Sequence, residues 1–423
     1  MTDGTMEAAD ADAVDAGTAV SERGRERRLM ALLCAGHFCS HFYMLTLPPL
    51  FLLLKDHFAV SYAALGLIMT VYHVSTGAIQ APMGFLVDRV GARHILILGL
   101  ALNGLAIALM GAVDNYMLIL VFAVFAGLGN SVFHPADYAI MADRIDASRL
   151  GRAIGIHMFA GNLGWVAAPL TMTTLAALWN WRIALIVVGI AGIAVALVMA
   201  VQGALLGGAI NAGKAAKSKD TPKGHQGVGL LMSPPMLAFL AFFVMMASVT
   251  SGLQSFSTTA LVNLHGISLT AANAALTTFI CANAAGVLFG GFISDGLKRP
   301  DLAVALLLAL GAVGVFLPGL FDMPYPLLLA CFLAIGLVSG AIRPSRDMML
   351  RQITPKSEVG KVFAFMSVGL SVGAAAAPLA FGRMLDGGVP FWVFAASAGA
   401  MVASIFLGFL GQFWARRLGL GAI

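Results

Sequence analysis

Histidine, arginine and aspartate are costly inside long apolar runs, and this sequence places all three there. His37 and His41 stand four residues apart in one such run, which puts them on one face of a helix. A second run holds His134-Pro135-Ala136-Asp137, and a third holds Arg343-Pro344-Ser345-Arg346-Asp347. Imidazole changes its charge near neutral pH, so His134 and Asp137, joined by Asp347, are the candidates for taking up and releasing a proton. A guanidinium stays charged and offers a planar fork that fits carboxylate, phosphate or phosphonate. Arg343 and Arg346, with His37, His41, Asn130, His134 and Gln254, form the candidate solute-binding set. A small organic anion is the solute such a set predicts.

Other chemistries are less well served. His37 and His41, with His73, could begin a metal site, and carriage of a metal ion or metal chelate is the alternative reading. No glutamate lies between the two, and no second ligand pair appears at similar depth, so no metal ligand is assigned. Nothing resembles a Ser-His-Asp or Cys-His set, which argues against an enzyme. There is no phosphate loop, ATP-binding segment or nucleic-acid motif. Transport would therefore be secondary, without cofactor or nucleic-acid partner, by a chain acting as a monomer. His73 and His157 divide between structural and functional readings, and a non-transporting receptor remains a distant rival.

The elements that must position these groups follow from composition. Of 423 residues, 60% are hydrophobic and 11% charged, against about 25% charged in a soluble domain. A chain so poor in charge cannot cover a soluble surface. Twelve stretches reach the roughly 20 apolar residues that a spanning helix needs. They run over 29–54, 62–86, 93–112, 116–142, 151–176 and 182–205, then 234–262, 268–297, 301–320, 326–349, 358–382 and 389–414. Residues 1–28 read as a mostly disordered cytoplasmic tail. The polar stretch 206–231 reads as a cytoplasmic linker between six-helix bundles over 29–205 and 232–417, and 418–423 as a short tail. Glycine pairs 151/155, 286/290 and 369/373 are spaced for close helix contact. With both termini cytoplasmic, twenty Lys and Arg residues fall on that side and three on the other, the asymmetry expected of an inner-membrane protein.

The two halves repeat. A shift of 209 residues places Gly127-Leu128 on Gly336-Leu337, His134-Pro135 on Arg343-Pro344, and Ala167-Ala168-Pro169-Leu170 on Ala376-Ala377-Pro378-Leu379. Six helices per half, with equivalent loops on the same side, make a parallel repeat.

After the second stretch the sequence reads Gly84-Phe85-Leu86-Val87-Asp88-Arg89-Val90-Gly91-Ala92-Arg93. This resembles the cytoplasmic loop signature of the major facilitator superfamily, with Ala92 in place of one arginine. A second, degenerate copy begins at Gly291 and includes Asp295. The resemblance implies an all-α membrane protein of twelve transmembrane helices in two six-helix bundles, the major facilitator fold. In that fold the first, fourth, seventh and tenth helices line a central cavity, and these four carry the polar residues named above. Gly84, Asp88, Arg89, Gly91, Arg93 and Asp295 are the candidate conformational latch, because an aspartate at a helix end can pair with arginines and with a neighbouring helix N-terminus. Gly127 to Pro135, with Leu47-Pro48-Pro49-Leu50 and Gly161-Asn162-Leu163-Gly164, is similar to the fosmidomycin-resistance-type branch. Ser40-His41 and Ala136 stand where that branch carries acidic residues.

Overall fold

The computed structural model describes residues 4–207, 226–294, 299–355 and 358–420, with side chains excepted at 4–23, 81, 147, 226–228 and 292–294. Every regular element among them is helical. In order these are α1 (Gly4–Met44), α2 (Phe51–Phe58), α3 (Tyr62–Val90), α4 (Ala92–Ala112), α5 (Tyr116–Asn130), α6 (Phe133–Arg144), α7 (Ala147–Leu178) and α8 (Trp181–Val201). There follow α9 (Gln226–Leu231), α10 (Pro234–His265), α11 (Leu269–Ser294), α12 (Pro300–Leu320), α13 (Tyr325–Ile353), α14 (Val359–Asp386) and α15 (Phe391–Arg417). Twelve segments are long and apolar enough to cross a membrane, and each overlaps one of the twelve stretches expected from sequence.

Three details depart from expectation. The N-terminal stretch is helical from Gly4 and continues into the first span; its Ala, Glu and Arg content, without proline, favours that extension over the disordered tail. The first span breaks after Met44, where Pro48–Leu50 form a 3-10 turn before α2. The fourth span breaks between α5 and α6. Pro135 lacks the N–H that would bond the Ser131 carbonyl and crowds that group, while the Ser131 hydroxyl donates to Leu128 O at 2.7 Å. Most of the expected linker, Asp295 and the last three residues lie outside the described set.

Packing repeats between the halves. α1 packs on α7 as α10 packs on α14, and α4 packs on α8 as α12 packs on α15. The halves meet through α3 with α14 and α7 with α11. Gly286, Gly290 and Gly373 serve close approach as expected, since a β-carbon there would collide with Leu337, Ala341 or Val244. Gly151 and Gly155 do not: nothing lies within 4 Å of where their β-carbons would fall.

Candidate transport site

The break between α5 and α6 aims Asn130 and Asp137 at α1. Asn130 Oδ1 accepts from the Ser40 hydroxyl at 2.7 Å. Asp137 is fully buried, with His157 Nε2 of α7 at 3.2 Å and His37 Nδ1 of α1 at 3.7 Å from its Oδ2. The rings of His37 and His157 stack with centroids 4.0 Å apart, and His41 lies 4.3 Å from His37. His41 in turn stacks on Trp165 at 4.3 Å, and His134 on Tyr138 at 5.9 Å. Gly161 lets α7 approach, because a β-carbon there would fall 2.6 Å from His37 Cδ2 and 2.8 Å from His41 Nδ1. Four histidines and one aspartate thus converge at membrane depth within one half of the molecule, where ionisable groups mark function.

Of the histidines proposed for a metal, His73 stands apart: its ring contacts Tyr72 at 5.6 Å and none of the four others. The structure instead brings His157 to the site. His37, Asp137 and His157 offer ligand atoms all within 4.8 Å of one another. His157, Gly161 and Trp165 are spaced i, i+4, i+8, so their shared helix face was the available sequence signal.

The other half supplies cations. Arg346 donates to Asp347 Oδ1 from Nε at 2.9 Å, and its guanidinium carbon lies 4.1 Å from the centroid of the Phe243 ring. The Asp347 side chain is 42% exposed, so this carboxylate is half open and already paired with its neighbour, unlike the embedded carboxylate expected. Arg343 has neither Asp137 nor Asp347 as an ion-pair partner. It has no carboxylate within salt-bridge reach among the described residues. Gln254 is half-buried on α10 without a hydrogen-bond partner among the described residues.

The two ends of the molecule differ. At the end away from the termini, Asp386 of α14 caps α3 in the other half, accepting from Tyr62 N at 2.7 Å and Ala63 N at 2.9 Å. Thr70 donates to Ala375 O at 2.6 Å and Asn263 Nδ2 to the Tyr62 hydroxyl at 2.9 Å. Phe51 packs on Phe256 at 5.1 Å, and Gly66 and Gly382 sit against backbone of the opposite half. At the termini end, β-carbons on Gly84, Gly151, Gly155 and Gly360 would meet nothing within 4 Å. A cavity of about 640 Å³ opens there between α1 and α7, lined by Glu26, Arg27, Cys34, Arg149, Arg152 and Ile156 among others.

The loop signature lies at this open end. Gly91 adopts φ 96°, a conformation suited to glycine, and so turns α3 into α4. Arg93 packs on Gly203. Asp88 and Arg89 are exposed and make no hydrogen bond or ion pair among the described residues. Among the described residues the latch contact expected of them is not made, and Asp295 lies outside that set.

A twelve-helix fold in two repeated halves, sealed at one end and open at the other around a buried polar centre, defines a membrane transporter. The chain matches the Major Facilitator Superfamily over residues 33–271 and 240–417 and belongs to it. It is a multi-pass protein of a family of transporters, not enzymes, and moves a small solute. It is similar to the fosmidomycin resistance protein of Escherichia coli K12, 22% identical over 291 residues, 69% of this chain and 70% of that protein. It is also similar to a probable L-galactonate transporter of the same organism, 26% identical over 146 residues. That match spans 34% of this chain and only 32% of the relative. Among solved structures, a bacterial homologue of the human lysosomal transporter Spinster, inward-facing and occupied, superposes with a TM-score of 0.72. It shares 16% identity, over 93% of this chain and 97% of that one.

Proposed function

We propose that this chain carries a small organic anion across the bacterial inner membrane by proton-linked alternating access, acting as a monomer without cofactor or nucleic-acid partner. The observation that carries the reading is Arg343, a guanidinium at membrane depth with no carboxylate partner among the described residues. Such a charge is costly unless an anion neutralises it, and its fork fits carboxylate, phosphate or phosphonate. In the cavity between α1 and α7, Glu26 neutralises Arg149 at 3.0 Å, and Arg27 and Arg152 leave a positive potential that would concentrate anions at that end. L-galactonate, named for one relative, is an anion of this class.

The excess of Lys and Arg on the side of the termini supports a cytoplasmic location for both; with that orientation the sealed end is periplasmic and the conformation inward-open. The glycines open at the cytoplasmic end would close in the alternate state, when Asp88 gains its latch partner. His134 and Asp137 remain the proton-coupling candidates, whereas Asp347 is less suited because Arg346 holds it. A divalent metal ion is the second reading, favoured by the close ligand atoms of His37, Asp137 and His157; the cationic cavity mouth disfavours it.

A thermal-shift screen of purified protein tests the reading. Small carboxylates, phosphonates and sulfonates should raise the melting temperature of wild type, because a ligand bound to the folded state alone stabilises it. Arg343→Gln should lose the response. Stabilisation by zinc or cobalt alone, with no response to any anion, would favour the metal.

A further inference from the structure

Three helices of the N-terminal half bring lone pairs to one buried point. His37 of α1, Asp137 of α6 and His157 of α7 are each fully buried. Both nitrogens of each histidine and both oxygens of the aspartate lack a hydrogen-bond partner among the described residues. Buried polar atoms are normally paired, and a buried carboxylate is costly unless a cation meets it. No lysine or arginine pairs with Asp137 among the described residues; the groups that reach it are the two imidazoles.

The spacing fits a single ion. Imidazole nitrogen and carboxylate oxygen stand about 2.0–2.2 Å from zinc, so two donors at the tetrahedral angle lie about 3.3–3.6 Å apart. Asp137 Oδ2 is 3.2 Å from His157 Nε2 and 3.7 Å from His37 Nδ1. Two nitrogens and one oxygen suit zinc or cobalt, whereas calcium and magnesium prefer oxygen alone. A further imidazole is at hand: the His41 ring lies 4.3 Å from that of His37, and its Nδ1 is also buried without a partner. Entry is open from the termini end, where Cys34, three residues before His37, and Ile156, beside His157, line the cavity.

We propose that His37 Nδ1, Asp137 Oδ2 and His157 Nε2 bind one divalent ion of the zinc class, which stays with the protein during transport. The ion is neither cargo nor a reacting cofactor. Alternating access parts the two halves around a cargo, yet all three donors belong to one half and stay together when the halves rock. The ion instead ties α6, which the break at Ser131 separates from α5, to α1 and α7. Sequence spacing had pointed to His37, His41 and His73; the structure keeps the first and replaces the others with Asp137 and His157. Holding the ion occupies Asp137 and leaves His134 as the proton-coupling candidate. The inference is independent of the anion reading, which rests on Arg343.

The test uses full-length protein without a histidine tag, in lipid nanodiscs and freed of metal by chelation. Cobalt(II) is titrated in and its visible absorption followed. Wild type should bind one cobalt per protein, and zinc should displace it. His37→Gln, Asp137→Asn and His157→Gln should each weaken binding by more than about 100-fold, beyond the cost of losing an outer partner of a metal ligand. His73→Gln should bind as wild type does. No cobalt bound by wild type, wild-type affinity in the three ligand variants, or an equal loss in His73→Gln would each overturn the site. In proteoliposomes the ion should remain at one per protein, with no labelled zinc in the lumen; zinc accumulating there would make it cargo and overturn its residence. If one ligand variant fails to fold, the other two decide.

Discussion

Replacing Asp386 with alanine should shift the protein away from the conformation described here. Its carboxylate accepts from Tyr62 N and Ala63 N at 2.7 and 2.9 Å, capping a helix that belongs to the opposite half. An N-cap is worth about 0.5–2 kcal/mol, and a negative charge at a helix N-terminus adds about 0.3–1 kcal/mol. Because Asp386 is exposed and this contact exists only while the far end is sealed, about 1–2 kcal/mol is the differential to expect, or a population shift of roughly 5–30-fold. Nitroxide labels at Met117 and Leu327, both exposed near the sealed end and in opposite halves, would report the change by double electron–electron resonance. Asp386→Ala should enlarge a longer-distance population, and Asp386→Asn should fall between it and wild type. Identical distance distributions in all three would refute the view that this cap holds the seal.

Three further outcomes follow. Gly161→Ala should cost about 1–3 kcal/mol by overpacking against the His37 and His41 rings, seen as a lowered melting temperature, whereas an unchanged melt would mean that the rings have room to move. Gly151→Leu should leave the melting temperature unchanged, since nothing lies within 4 Å, yet abolish transport by blocking closure of the open end; normal transport would show that α7 does not close there. The Asp114 carboxyl is held below the usual carboxylate range by its hydrogen bond to His57, helped by the Arg182 charge. Its contribution to stability is thus present above the ordinary carboxylate pKa and fades as pH falls through the lowered one. Asp114→Asn should melt earlier than wild type at neutral pH and converge with it in acid; a gap that persists in acid would remove the charge from the explanation.

What the sequence made legible was whatever repeats or is long. Each span is an apolar run of about twenty residues, and the Ala-Ala-Pro-Leu copies at 167–170 and 376–379 announced two halves. The break at Ser131 was harder to see because the run stays apolar through it; only the reach of Pro135 back to the Ser131 carbonyl gives it away. His37, His41, His134 and Asp137 were found because buried ionisable groups are conspicuous in such a chain. His157 looked no different from His73, and what separates them is tertiary: α7 packs on α1, and Gly161 lets it come close. Arg343 and Arg346 looked equivalent too, until Phe243 and Asp347 were seen to occupy one and leave the other free of an ion-pair partner. The seal at Asp386 joins residues more than 320 positions apart, which no local pattern signals.

The claim that an anion rides on Arg343 is tested most directly by transport in proteoliposomes. Radiolabelled uptake of whichever carboxylate, phosphonate or sulfonate most stabilises wild type should be measured in wild type, Arg343→Lys and Arg343→Gln at matched reconstitution. Lysine keeps the charge but loses the two-pronged geometry, so apparent affinity should weaken in Arg343→Lys and uptake should be lost in Arg343→Gln. Wild-type affinity in Arg343→Gln, or a natural solute that is neutral or cationic, would contradict the account.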